Sequence, residues 1–299
     1  MSVLVVGSTA LDSIKTPYRE NLRLLGGSAS HAAVAASFFA PVKLVGVVGD
    51  DFPKRYFELY RRHRIDLDGL QIARGKTFHW SGEYEVNMNN RRTLATELGV
   101  FEKFTPTLPP SHRDTPFVLL ANIAPALQHH VLDQMRRPRF VAADTMDLWL
   151  NVALKDLLRL LRRIDALVLN ESEARQLTKL DNVISAARRI HRLGPRYVIV
   201  KKGEHGAILS APSGLFVSPA FPLEKVVDPT GAGDSFAGGL IGYLASRSGP
   251  LEANLRRAMI YGSTVASFCC QGFGLTATTK TTRTAIEQRA KKLMQMVAF

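Results

Sequence analysis

The sequence predicts an α/β fold, a mainly parallel sheet covered by helices on both faces, with a small antiparallel sheet inserted near its start. Two observations carry this reading. Short apolar runs alternate with stretches of helical periodicity along most of the chain, the pattern of successive βαβ units. One segment breaks the alternation with a period of two, the spacing of a strand with a single apolar face.

In chain order, strand-like runs fall at 3–7, 42–48, 117–120, 140–143, 166–169 and 197–200. Helical patterns fall at 28–39, 52–62, 127–135, 152–161, 172–178 and 184–193. A hairpin at 207–210 and 215–218 is followed by helices at 232–246, 251–270 and 284–297. The exceptional segment, 78–88, carries apolar residues at 78, 80, 84, 86 and 88. Asn89-Asn90 supply a turn, and 93–98 returns as a partner strand. An ordinary edge hairpin has this pattern, and so does a lid that closes over a substrate and excludes water. The 299 residues read as one domain, 1–299, with a β lid formed by about 13–25 and 76–100. Ligands of such sheets bind beyond the C-terminal ends of the strands.

Composition narrows the classes. With 46% hydrophobic and 22% charged residues the chain has material for a large core. No apolar run is long and uncharged enough to span a bilayer. The opening run from Met1 to Gly7 has neither the basic start nor the cleavage site of a signal peptide, and reads as a buried strand. The two cysteines, Cys269 and Cys270, are adjacent and without metal-ligand spacing, which suits a reducing, cytoplasmic setting. The net charge of +13 raises nucleic-acid binding. The basic pairs Arg61-Arg62, Arg136-Arg137, Arg162-Arg163 and Arg188-Arg189, however, sit on expected helices, mostly near their ends, where cations suit the dipole. No basic block alternates with aromatics. A solvated arginine-rich surface that draws anionic ligands is the reading preferred here, with no nucleic-acid and no membrane partner.

The most informative stretch runs from Asp228 to Phe236, Asp-Pro-Thr-Gly-Ala-Gly-Asp-Ser-Phe. It reads as a loop entering a helix. Unpaired N–H groups and the dipole at that helix start make an anion receptor, and glycines let the backbone approach closely. Asp234 stands beside it, and the dipole should lower its pKa. A carboxylate next to an oxyanion cradle is the minimum apparatus for moving a phosphoryl group onto an alcohol. An acidic first turn and a glycine turn also occur without any chemistry.

These nine residues resemble the signature of the PfkB-type (ribokinase-like) sugar and nucleoside kinases, and the likeness covers nearly the whole chain in order. It implies a ribokinase-like three-layer α/β/α sandwich with a small β-sheet lid, and ATP and Mg2+ as cofactors. It implies Asp234 as catalytic base, with the amides of Gly231, Ala232 and Gly233 as the anion hole. The segment around Asp228 and Thr230 would border a monovalent-cation site, such as one for K+. The acceptor would meet Asp12, which can read a vicinal diol, with Gly26 and Gly27 of the di-glycine motif, His31 and Asn122. The nucleotide side would comprise Asn170 and Glu173 of an Asn-x-x-Glu motif, Lys201, Gly203 and Gly272. Glu173 would hold magnesium through water, while the same spacing also makes a helix capping box.

Two departures from the family pattern bear on the acceptor. His31 replaces the usual asparagine, and Met146 and Leu148 stand where many members carry asparagine and arginine. The site near Asp144 is therefore less polar than in common sugar kinases. Sugar, nucleoside and cyclitol acceptors stay open, with Phe78, Trp80 and Tyr84 as candidates to stack on a base and Arg91 and Arg92 to meet a phosphorylated sugar. A non-catalytic ligand-binding protein of the same fold is the rival from another class. An exposed lid edge leaves a homodimer open.

Overall fold

The structure, a computed structural model, describes residues 1–88 and 90–298. The chain begins β1 (Val3–Val6), β2 (Ala10–Lys15), β3 (Glu20–Gly26), α1 (Ser28–Ser37), β4 (Val42–Gly49), α2 (Lys54–Arg62), β5 (Ile65–Ala73), β6 (His79–Tyr84) and β7 (Arg91–Glu97). It continues β8 (Phe117–Leu120), α3 (Pro125–Gln134), β9 (Phe140–Asp144), α4 (Asp147–Val152), α5 (Leu154–Leu161), β10 (Ala166–Asn170), α6 (Glu171–Thr178), α7 (Val183–His191) and β11 (Tyr197–Lys201). It closes with β12 (Ala207–Ala211), β13 (Gly214–Ser218), α8 (Ala232–Ala245), α9 (Leu251–Cys269) and α10 (Arg283–Gln295).

Nine strands form the main sheet in the order β13-β12-β11-β10-β9-β8-β1-β4-β5. From β11 to β5 every pairing is parallel, and only the terminal hairpin runs antiparallel. The strands at the centre are buried on both faces, which explains their unbroken apolar character. Along β1, Val3 and Val5 join the core shared with α1, α8 and α9, while Leu4 and Val6 join the opposite core under α3, α5 and α7.

The second sheet, β3-β2-β6-β7, is mixed. β2 and β6 pair in parallel, and the two outer pairings are antiparallel. The wholly antiparallel insertion expected from the sequence is corrected here. β2 and β6 are separated by β3 and the long α1–β4–α2–β5 connection, which lets them lie side by side in the same direction. Strand β6 ends at Tyr84, so the period of two stops earlier than the residue pattern suggested, and Val86 is 75% exposed in the turn beyond. Of the expected Asn89-Asn90 turn, Asn89 lies outside the described residues. The sheet's inner side carries Ile14, Tyr84 and Met88, packed with Trp80, Val226 and Phe273.

α1 and α8 approach closely because both are rich in small residues. A Cβ on Gly238 would meet the backbone of Ala32, and one on Gly242 would stand 2.7 Å from Ala36 Cα. This contact sets the start of α8 over α1, and with it the loop that begins at Asp228.

Candidate active site

The loop before α8 is pinned at several points. Asp228 is fully buried; its Oδ1 accepts from the Thr230 N–H at 2.8 Å and its Oδ2 from the Gly274 N–H at 2.9 Å. The Val227 N–H donates to the Cys270 carbonyl at 2.8 Å. Thr230 Oγ1 donates to the Tyr84 hydroxyl at 3.0 Å, which ties the loop to the small sheet. Gly231 then turns with φ +77 to start α8. A Cβ there would collide with the His31 ring, so the bend needs glycine for conformation and for space alike.

Ala232, Gly233 and Asp234 form the first turn of α8; N–H groups there have no partner within the helix, but the expected anion-hole amide of Ala232 already donates to the Pro229 carbonyl at 3.1 Å. Burial pushes the Asp234 carboxyl above its ordinary range, opposed first by Lys201 and then by Arg91. The downward shift expected from the helix dipole is therefore outweighed. Desolvation of the whole carboxylate exceeds the attraction of one helix end. A carboxylate with a raised pKa is the stronger base.

On the other side of the cleft, Asp12 lies on β2, 5% exposed, and its Oδ2 accepts from the Gly27 N–H at 3.3 Å. Burial raises its pKa to about 7, and the charges of Asp228 and Asp234 add to the rise. A Cβ on Gly26 would run into this carboxylate. Arg91 stands over the Trp80 ring at 5.5 Å, and its charge bears on both Asp12 and Asp234. Arg92 points elsewhere, pairing with Glu83 at 2.7 Å.

His31 and Asn122 sit differently from the open hydroxyl contacts that the family likeness implied. The His31 ring lies beneath Gly231, 1% exposed, with Nδ1 3.8 Å from Cys269 Sγ. Burial lowers its pKa to about 4, and Nε2 has no hydrogen-bond partner among the described residues. The Asn122 amide is committed: Oδ1 accepts from Trp149 Nε1 at 2.7 Å, and Nδ2 donates to Met146 Sδ at 2.9 Å. Its carbonyl accepts from Ser28 Oγ at 3.1 Å, next to Gly27.

The third wall is formed by the ends of β9, β10 and β11. Asn170 caps α6: its Oδ1 accepts from the Glu173 N–H at 2.8 Å, and Glu173 Oε2 accepts from the Asn170 N–H at 2.7 Å. Burial raises Glu173 to about 7, countered by Lys201 and reinforced by Asp144. Lys201 Nζ sits 3.1 and 3.2 Å from the two oxygens of Asp144. A Cβ on Gly233 would stand 3.1 Å from the same ammonium, so Lys201 reaches the first turn of α8. Gly203 turns with φ +57 into open space. Gly272 lines a cavity of about 510 Å³ between the β2–β3 turn and the segments 225–227 and 272–276.

The Asp144–Lys201 pair was missed as a unit. Its signal was present, since a carboxylate and a lysine each end an otherwise apolar buried strand on the side where α/β sheets bind ligands. Among the described residues no group of three His, Cys, Asp or Glu side chains is arranged to hold a metal, and no helix is long and apolar enough to cross a membrane.

The protein is a phosphotransferase whose acceptor group is a hydroxyl. More particularly, the chain belongs to the pfkB family of carbohydrate kinases, whose sequence pattern it matches over residues 2–282. It is 33% identical over 265 residues to the cytidine kinase of Thermococcus kodakarensis, covering 86% of this chain and 92% of that one. Its fold is similar to that of a double mutant of the Vibrio cholerae O395 fructokinase bound to fructose, ADP and potassium, with a TM-score of 0.80 at 18% identity over 97% of this chain and 98% of that one. It is also similar to that of the Burkholderia thailandensis nucleoside kinase in complex with inosine, at TM-score 0.78 and 20% identity over 98% of both chains.

Proposed function

We propose that the protein is an ATP-dependent nucleoside kinase, with cytidine as the first acceptor to test. The observation that carries the choice over a simple sugar is the wall beside the di-glycine turn. There both ends of the Asn122 amide are already engaged, by Met146 and by Trp149. An apolar, half-buried wall of this kind suits a planar base better than another hydroxyl-rich ring. The likeness to the Thermococcus kodakarensis cytidine kinase over most of both chains points the same way.

In this reading Asp12 accepts hydrogen bonds from two ribose hydroxyls. Asp234 takes the proton of the attacking hydroxyl as the γ-phosphoryl group transfers in line. The N–H groups at Gly231 and Gly233 hold the charge on the phosphoryl oxygens, while the Ala232 N–H donates to the Pro229 carbonyl at 3.1 Å. The small sheet acts as the lid of a single domain, and Arg91 brings a positive charge over the centre. Asn170, Lys201, Gly203 and Gly272 line the nucleotide side. An oxygen-only set with one buried carboxylate, Glu173, fits magnesium, which keeps most of its water and takes its other ligands from phosphate. The ion would supply charge neutralisation on the phosphates. A potassium ion beside Asp228 would face a carboxylate whose oxygens already accept from Thr230 and Gly274.

The test is ADP release with MgATP across cytidine, other nucleosides, ribose, fructose and inositol. A nucleoside should give the highest kcat/KM. Turnover confined to free sugars or inositol would overturn the nucleoside reading.

A further inference from the structure

We propose that Asp144 is a positioning residue for phosphoryl transfer: it holds the Lys201 ammonium against the anion cradle and away from the catalytic base. This rests on the phosphotransferase reading and not on the identity of the acceptor.

The geometry begins with the strand ends. β9, β10 and β11 are adjacent and parallel, with Val168 paired to Asp144 and Asn170 paired to Lys201. Asp144 and Lys201 therefore flank the end of β10 and meet across it, with 6% and 18% of their side chains exposed. Three carboxylates bear on the one ammonium, from Asp144, Glu173 and Asp234. Only Asp144 lies within ion-pair distance of it among the described residues. Asp144 is itself fixed, since its Oδ1 also accepts from the Thr145 N–H at 2.9 Å and the strand behind it is buried. The ammonium also stands beside Gly233, at the turn whose N–H groups would hold phosphate.

A buried cation among three carboxylates settles on the best-placed one. Held by Asp144, it leaves Asp234 free to take a proton and faces an incoming polyphosphate. Without Asp144, the remaining partners are Glu173 and Asp234, and an ion pair at Asp234 would lower the basicity the reaction needs. Asp144 thus acts through Lys201, and the two residues form one unit.

The unit is tested by a double-mutant cycle on the full chain, using whichever acceptor turns over fastest. Lys201→Met should weaken MgATP binding about tenfold, the scale of one charge-assisted contact. Asp144→Asn should lower kcat about tenfold or more while changing ATP affinity less than about threefold. Asp144→Asn/Lys201→Met should be no slower than Lys201→Met alone, because Asp144 has then lost the group it acts on. Lys201→Met leaves a buried carboxylate unpaired, so the double variant should also melt higher than that single one. Asp144→Glu keeps the charge and should retain most turnover. Multiplicative losses in the cycle, or equal losses in Asp144→Glu and Asp144→Asn, would overturn the proposal. A wild type active only on free sugars would remove the nucleoside reading and leave this cycle intact.

Discussion

Thr230 donates to the hydroxyl of Tyr84 at 3.0 Å, and this bond joins the loop of the proposed anion cradle to strand β6 of the small sheet. Both groups are buried, Thr230 at 8% and Tyr84 at 6% exposure. The placement of the small sheet over the cleft is therefore felt at the start of α8. Tyr84→Phe removes the acceptor and keeps the ring. We expect kcat/KM to fall about fivefold, the scale of one neutral hydrogen bond, with stability nearly unchanged. Steady-state kinetics and a thermal melt check both; full activity in Tyr84→Phe would uncouple the sheet from the cradle.

A second expectation concerns the space under the cradle. Gly231→Ala forces a methyl group into the His31 ring at a φ that L residues avoid. Turnover should drop by about a hundredfold or more if the displaced amides are those of the proposed phosphate cradle. Adding His31→Ala opens the space but leaves the backbone strain, so part of the loss should return. A Gly231→Ala single variant with over half the wild-type rate would show that the loop tolerates displacement.

How much of this could be read from the residues differs from element to element. The strands of the main sheet were legible because burial on both faces makes them continuous apolar runs, as in Phe117–Leu120. β5 was not, because Asp66, Asp68 and Gln71 interrupt its apolar pattern at the sheet edge. β2 was hidden because Asp12 and Ser13 put polar groups where a strand pattern needs apolar ones. The signature loop was legible because glycine, proline and aspartate there answer to local geometry. The pairings of Asp144 with Lys201, of His31 with Gly231 and of Tyr84 with Thr230 were not. Each joins residues at least 57 positions apart, and a single sequence carries no record of who meets whom.

The burial of His31 gives the fold a dependence on acid. Its pKa is about 4 in the folded chain against an unfolded value near 6.5. The unfolded chain then binds the extra proton between those values. The stability that neutral His31 contributes is complete above about pH 6.5 and is lost as pH falls through that value toward 4, on the order of 3 kcal/mol in all. Asp12 and Glu173, raised by burial, act in the opposite sense, losing stability as pH rises toward 7. The comparison is therefore made between wild type and His31→Asn. The melting temperature of the wild type should fall more steeply from pH 7 to pH 5, and parallel curves would refute the assignment.

The pH dependence of turnover should separate the two aspartates to which the proposed mechanism gives different roles. Asp12 ionises at about 7, and only its charged form accepts two hydroxyl donors strongly. The acceptor KM should therefore fall as pH rises through 7, while the KM for ATP stays level. Asp12→Asn should lose that dependence and raise the acceptor KM about ten- to a hundredfold, the worth of charge-assisted hydrogen bonds. Asp234→Asn should behave otherwise, with turnover abolished and MgATP binding kept, because in the proposed mechanism it removes the proton acceptor and leaves the amides that would hold phosphate untouched. Rate measurements from pH 5.5 to 9 together with calorimetric nucleotide titration distinguish the two. If Asp234→Asn keeps most of its rate, the base lies elsewhere. Asp12, the other carboxylate on which Arg91 acts, becomes the first alternative.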